Sequence, residues 1–350
     1  MAVLILFPFS SWAQDTDDDM AFRFQTKVTF TRSGSDIAKD FWAILPAAQT
    51  NEYQTILKVS ISEGNFFQEL TYGNNFLKME RKQFNSGTIE FSTWTHVRPI
   101  QVQTDFSKIT EIKPYDPESE VCKLYLGDCD VYIDTKNSDL MAMGDRLWDG
   151  STDVLDYARK CYEYIASDFE YDEYEEWHSL KRILKNHSGS SSDFATLFVN
   201  LMRYKGIPAR HNVGVSYSQT PHTFADFYLE GYGWIPVDAA LKNLSPSEDY
   251  FGYFDGNTIV LSQGIGYEMP FETLLPVVIV PTCYYEFTPL GTDCKLDVSF
   301  DFINEGYTSI DGVQSVPMKD SNAIYDLNGR QVPSSYKGLV IYNGRKYLKK

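Results

Sequence analysis

Positive charge is scarce in this chain of 350 residues: 31 lysines and arginines stand against 48 aspartates and glutamates, a net charge of −17 at pH 7. A surface that tracks a phosphate backbone needs the opposite balance, so nucleic acid is excluded as a main partner. No apolar run reaches the ~18 residues that a membrane-crossing helix needs, so no transmembrane segment is predicted. Histidine is rare and scattered, with five in all. Cys-x-x-Cys, His-Glu-x-x-His and an acidic calcium loop are all missing, so neither a metal site nor a cofactor is predicted. Cysteine is rare too. Five cysteines are no disulfide framework at this length, and the odd number leaves at least one unpaired. Cys122 and Cys129 are close enough in sequence to bridge, as are Cys283 and Cys294. Cys161, on a helix face, is then the buried spare.

What the chain does contain is ordinary globular material, 43% hydrophobic and 23% charged, in a length that suits two domains better than one. Met1–Phe9 is an apolar stretch of signal-peptide length, followed by Ser-Ser-Trp-Ala-Gln. Cleavage after Ala13 would leave Gln14 and the acidic run Asp15–Asp19 as a solvated terminus. Residues 1–13 are therefore expected to direct export to the periplasm, the cell surface or the medium; the alternative is a buried N-terminal strand. No cysteine precedes Cys122, so a lipid anchor on a terminal cysteine is not available.

The pattern from about Met20 to Phe106 is strand-like. Lys27–Thr31, Thr55–Ser62 and Pro99–Phe106 alternate apolar with polar between Gly, Asn and Ser turns, which predicts an antiparallel β-sandwich over 20–120. Glu111–Glu120, with two prolines and four acids, is a linker. The period then changes. Asp153–Ala166 puts Val154, Leu155, Ala158, Cys161, Tyr162 and Ile165 on one helix face. A second helix starts near Ser192 or Asp193, carries Phe194, Leu197, Phe198, Leu201 and Met202, and stops at Gly206-Ile-Pro208. Strands follow at Asn212–Tyr217, Thr223–Glu230 and Trp234–Ala239, with Glu230–Gly233 turning between the last two. The fold class is α+β: a sandwich over 20–120, a central α+β domain over 135–290 and a β-rich tail over 291–350.

Two segments carry the chemistry. Gly189-Ser-Ser-Ser-Asp-Phe-Ala195, running on to Arg203 and Gly206-Ile-Pro-Ala-Arg210, resembles the helix start and helix end of the transglutaminase-like branch of the papain-like proteins. Pro221-His222, followed by Gly233-Trp-Ile-Pro-Val-Asp238, resembles that family's histidine strand and aspartate strand. Tyr250–Gly264 is similar to its post-triad segment, and Leu45-Pro46 with Glu52-Tyr-Gln54 to the domain that often precedes it. The resemblance spans Phe22 to Phe287. It implies a Cys nucleophile at a helix N-terminus, with a His that shares its proton and an Asp that orients the imidazole. A thiol suits that place, because its pKa of ~8.5 falls beside His and a helix N-terminus, so a resting ion pair forms. The acyl intermediate then passes to an amine or water.

Aligned on Asp193-x-Ala195, the position of the family's Cys is Ser191, with His222 and Asp238 completing the triad; a slip of one residue gives Ser190 or Ser192. A hydroxyl does not ionise near neutral pH, so His222 would have to remove its proton during attack. Three functions follow: a catalytically inactive domain that binds an extracellular peptide, protein or glycan; a Ser-His-Asp amidase, protease or acyltransferase; or a structural surface protein. The cleft candidates are Trp234, Tyr171 and Trp177. Trp234 is expected to pack against the sheet, Arg203 and Arg210 to pair with acids or a helix end, and His187 and His211 to carry no chemistry. His178 follows the acidic-aromatic run Asp168–Trp177, which is either a lip for cationic or sugar ligands or a solvated surface with Phe169 and Tyr171 turned inward. Ala323–Val332 and Lys337–Lys346 resemble a C-terminal tail of exported proteins in one Gram-negative phylum, and otherwise read as a β-hairpin covering a sheet edge.

Overall fold

A computed structural model describes residues 21–303, other than 35–36, 130, 152, 174–176, 281 and 289–292, together with the backbone of the strands between 324 and 349. The expected signal segment lies outside the described residues. The first six strands are β1 (Phe22–Arg32), β2 (Ala38–Pro46), β3 (Gln54–Ile61), β4 (Asn65–Gln68), β5 (Asn75–Phe84) and β6 (Gly87–Pro99). In β1 the alternation is complete: Phe22, Phe24, Thr26, Val28 and Phe30 are buried, and the residues between them face outward. A slip of one residue would turn that whole row to water, so the register against β6, with Val28 opposite Phe91, is strongly specified.

The expected strand Pro99–Phe106 breaks up. β6 ends at Pro99, which has no N–H for the ladder. The chain then crosses to the central domain through β7 (Val102–Gln103) and a 3₁₀ turn at Phe106–Lys108. The proline-rich linker leads to α1 (Glu120–Tyr125), α2 (Ser138–Trp148) and α3 (Val154–Asp168), the last capped by the Asp153 side chain on the Asp156 N–H. Next come β8 (Glu170–Tyr171), α4 (Leu180–Asn186), β9 (Ser188–Gly189) and α5 (Ser191–Tyr204). The helix α5 ends where expected, with Gly206 at φ +72°. The strands β10 (Ala209–Ser216), β11 (Pro221–Leu229) and β12 (Gly233–Val237) precede α6 (Ala239–Leu244), β13 (Tyr253–Phe254) and β14 (Thr258–Gln263). The central sheet runs β12-β11-β10-β14, with α5 laid across β11 and β10.

Helix α5 is buried almost throughout, yet it carries a polar row at helical spacing: Asp193, Thr196, Asn200 and Arg203. Each member is satisfied by a different segment. Thr196 meets His211 of β10 at 3.1 Å, Asn200 bonds the Tyr132 carbonyl and the Asp134 N–H, and Arg203 donates to the carbonyls of Gly127 and Ala209. The row thus ties the loops before the helix to its polar face, while Phe194, Leu197, Phe198 and Leu201 fill the core.

The sandwich is not complete within 20–120. β15 (Tyr284–Thr288) and β16 (Cys294–Ile303), expected in the central domain and the tail, return to it. β15 pairs with β2, and β16 pairs with β1 from Arg23–Ile303 to Arg32–Cys294, giving sheets β16-β1-β6-β3 and β15-β2-β5-β4. Without β16, β1 would present an unpaired edge. The tail adds β17 (Ile324–Tyr325), β18 (Gln331–Val332), β19 (Gly338–Tyr342) and β20 (Arg345–Lys349), which form a sheet of their own.

The bridges Cys122–Cys129 and Cys283–Cys294 do not form; all five thiols are free. Cys122 is buried on α1, whereas Cys129 lies against the Gly266 backbone. Cys161 is fully buried in α3, as its helical position suggested, and burial pushes its thiol pKa up. No helix among the described residues is long and apolar enough to cross a membrane.

The two domains are joined through the segment Glu52-Tyr-Gln54. The Glu52 carboxylate pairs with Arg210, which also binds Asp226 at 2.8 Å. The Tyr53 hydroxyl donates to Asp226 at 2.5 Å. Gln54 treats β14 as a neighbouring strand would: its amide nitrogen donates to the Val260 carbonyl (2.7 Å) and its oxygen accepts from the Val260 N–H (3.0 Å). Asn74 repeats the pattern on Gln263, with both bonds at 2.8 Å. Two side-chain amides therefore occupy the open edge of the central sheet.

Candidate active site

The N-terminus of α5 is the base of the site. Ser190, extended, is the cap residue and Ser191 the first helical residue, so the Ser191 hydroxyl sits at the positive end of a 14-residue helix. Strand β11 runs past this point. His222 lies opposite Gly214 in the ladder with β10, and the N–H of the next residue, Thr223, donates to Ser191 Oγ at 3.3 Å. Asp238 follows β12 and caps α6. Its Oδ1 accepts from the Leu241 N–H (2.8 Å), while its Oδ2 meets His222 Nε2 at 2.6 Å. The three residues expected to form a triad are thus brought together.

The arrangement is complete between His222 and Asp238 and incomplete at Ser191. With Nε2 held by Asp238, Nδ1 is the ring nitrogen left for a nucleophile, but no hydrogen bond joins it to Ser191 Oγ. The hydroxyl bonds the strand backbone instead. Ser191 is 6% exposed and Asp238 7%. Ser191, Phe194, Thr223, Phe224, Val237 and Asp238 line one narrow space at the helix start. Beside it, a cavity of about 10 Å³ bounded by Asp238, Tyr250, Tyr253, Asp255 and Thr258 has room for about one water.

The cleft candidates separate. Tyr171 is half-buried near the triad: its strand β8 pairs with β9 at Gly189, and its ring lies 6.1 Å from that of Phe194. Burial, reinforced by Glu173, Asp238 and Asp193, pushes its phenol pKa up. Trp177 packs instead on His211 (5.3 Å) and Tyr132 (6.4 Å). Trp234 stacks on the Arg210 guanidinium at 4.1 Å, with Tyr125 and Tyr228 around it, and takes no part in the lining at Ser191. Phe169 turns inward, as its place in the acidic-aromatic run allowed, and residues 174–176 of that run lie outside the described residues. His187 ends α4 in the left-handed conformation and stacks on Phe169. His211 is fully buried; burial, with Arg203 nearby, lowers its pKa to about 3.

One histidine was missed. His178 makes a second His–Asp pair with Asp193 on the helix that carries Ser191: its Nδ1 lies 2.8 Å from Asp193 Oδ2, and its backbone N–H donates to Oδ1 at 3.0 Å. The spacing Ser190-x-x-Asp193 is legible as a helix start. A partner thirteen residues before Ser191, across α4, leaves no local signal. Among the described residues, no group of three or more His, Cys, Asp or Glu is placed to hold a metal ion.

Comparison with known proteins agrees with this geometry. Residues 142–239, which include all three triad positions, match the family model of the transglutaminase-like superfamily. A candidate cysteine protease from Cytophaga hutchinsonii superposes with a TM-score of 0.56 at 17% identity, covering 82% of this chain and 98% of its own. The periplasmic domain of TgpA from Pseudomonas aeruginosa matches with a TM-score of 0.34 at 13% identity, over 66% of this chain and 90% of its own. No curated protein matches the chain in sequence. At 17% identity the Cytophaga structure speaks to fold alone, and the fold is mixed α+β with mostly antiparallel sheets. The stretch that matches the transglutaminase-like superfamily model thus runs from within α2 to the first residue of α6.

Proposed function

We propose that this is an exported transglutaminase-like protein whose triad site is catalytically silent and binds a peptide or glycan outside the cytoplasm. The observation that carries the reading is the state of the Ser191 hydroxyl, which accepts a hydrogen bond from the Thr223 N–H and makes none to His222. A serine nucleophile needs its base in hydrogen-bond reach. The site of a resting thiolate does not supply that contact to the shorter hydroxyl. Export rests on the apolar segment Met1–Phe9 and the Ala13 site. A second reading, a Ser-His-Asp amidase, protease or acyltransferase, is favoured by the His222–Asp238 bond at 2.6 Å, which holds the imidazole with one nitrogen free. A purely structural surface protein has no observation in its favour beyond the extent of its β-sheets.

The test compares the wild type, Ser191→Ala and Ser191→Cys on glutamine peptides and esters near pH 7, for both hydrolysis and amine transfer. A silent wild type whose activity appears only with Ser191→Cys supports a disarmed site. Wild-type turnover that vanishes in Ser191→Ala makes Ser191 a working nucleophile and refutes the silent reading.

A further inference from the structure

We propose that His178 is a positioning residue for the Ser191 site, acting through Asp193. The inference rests on reading Ser191, His222 and Asp238 as triad positions.

Asp193 is 0% exposed, so its carboxylate must find every partner inside the protein. His178 provides two, through its backbone N–H on Oδ1 and its Nδ1 on Oδ2. Facing an acceptor-only carboxylate, Nδ1 is the protonated nitrogen of the ring. The Ser190 N–H adds a third bond at 3.0 Å, again to Oδ2. One carboxylate therefore ties together three stretches of chain: the loop before α4, the turn at 189–190 and the first turn of α5. Ser191 is held between the last two. The turn is packed tightly on this carboxylate: a Cβ added at Gly189 would lie 2.4 Å from Asp193 Cβ and 2.6 Å from its Oδ2. Loss of the Nδ1 bond leaves a buried carboxylate short of a donor two residues from Ser191, and the turn has no slack in which to adjust.

A consequence follows for any nucleophile at position 191. The positive end of α5 favours an anion there, but the Asp193 charge opposes it. The titratable groups around position 191 are Asp238, which lines the same space, His222, which precedes Thr223 on β11, Tyr171, whose strand pairs at Gly189, and Asp193 two residues along the helix. The hydrogen bond from Nδ1 draws Asp193 charge away from position 191 and keeps the helix start in place.

The experiment uses the full chain carrying Ser191→Cys, alone and with His178→Asn or His178→Gln. Asparagine places an amide donor where Nδ1 was; glutamine places it where Nε2 was. Iodoacetamide rates at pH 6 and pH 9 are read from the mass of the alkylated peptide, which separates the introduced thiol from the five native ones. The parent is expected to react at pH 6 at close to its pH 9 rate. His178→Asn should stay within about threefold of the parent. His178→Gln should be about tenfold slower at pH 6 and unchanged at pH 9, a fall in thiolate at pH 6 from about nine-tenths to about one-tenth. A glutamine variant as fast as the parent at pH 6, or an asparagine variant as slow as the glutamine one, overturns the proposal. So does labelling of the buried Cys161 in either variant, which would make His178 a general stability residue. A parent already slow at pH 6 overturns the triad reading itself, and the proposal with it.

Discussion

Replacing Gln54 by leucine should destabilise the whole chain, because Gln54 does the work of a β-strand. Its side chain is 0% exposed and Val260 is 1% exposed, so no water reaches the bonds between them. Leucine keeps the volume and removes both partners of Val260, leaving a buried N–H and a buried carbonyl unmet at about 1–3 kcal/mol each. The bond from Gln54 to the Gln49 carbonyl is lost as well, while the cost of burying the amide is recovered. The net loss should be about 2–4 kcal/mol, a large share of the 5–15 kcal/mol that holds a typical protein folded. Urea unfolding measures it, with Gln83→Leu on the exposed side of β5 as a control expected to stay within about 0.5 kcal/mol. Gln54→Glu sharpens the test. A carboxylate can still accept from the Val260 N–H but opposes the Val260 carbonyl, so it should be at least as damaging as leucine despite its similar shape. If Gln54→Leu shifts stability by no more than the control, and the Val260 amide keeps its protection from hydrogen exchange, the edge-strand argument is wrong.

Two further outcomes are expected. Folded His211 titrates near 3 and an unfolded histidine near 6.5, so as pH falls below 6.5 the unfolded state takes up a proton that the native state refuses. Stability is then lost at roughly 1.4 kcal/mol per pH unit, about 2 kcal/mol by pH 5, and the difference in urea midpoint between pH 7 and pH 5 should shrink in His211→Phe; an equal difference in both proteins refutes the assignment. The thiol count is simpler: denatured without reductant, the protein should react with five equivalents of Ellman's reagent, and three or one would mean that bridges form after all.

The local elements were legible because their periods are local. The α3 and α5 stripes, the Gly206 stop and the strands β10 to β12 follow from spacing within a dozen residues. That Ser191, His222 and Asp238 come together was legible for a different reason, since they lie in runs whose resemblance is carried by neighbouring residues. What was not legible is non-local. The row in Cys294–Ile303 reads as a strand from its own sequence, but nothing in it says that its neighbour is β1, some 270 residues earlier. Nor does Glu52-Tyr-Gln54 announce that each of its side chains bonds the central domain. The short helices α1, α4 and α6 were missed because six or seven residues give too few turns for a period to register. His178 was read only with the acidic-aromatic run, as lip or solvated surface, because its partner, Asp193, was already accounted for as a helix-start residue.

The intact His222–Asp238 pair is weaker evidence for catalysis than its geometry suggests, because each of its parts is employed structurally. Asp238 Oδ1 caps α6, a contact that is worth about 1 kcal/mol at a typical helix start. Its backbone N–H bonds the Tyr250 carbonyl, which closes the chain back onto β12. Its Oδ2 on His222 ties β11 to the same corner. A carboxylate at 7% exposure needs partners, and His222 is one it would need whether or not a nucleophile stood opposite. Ser191 lacks any such double role: its one bond, to the Thr223 N–H, could be made by water or by another small polar side chain. The structure therefore has reasons to keep His222 and Asp238 whatever residue stands at 191, and their pairing does not by itself argue for chemistry.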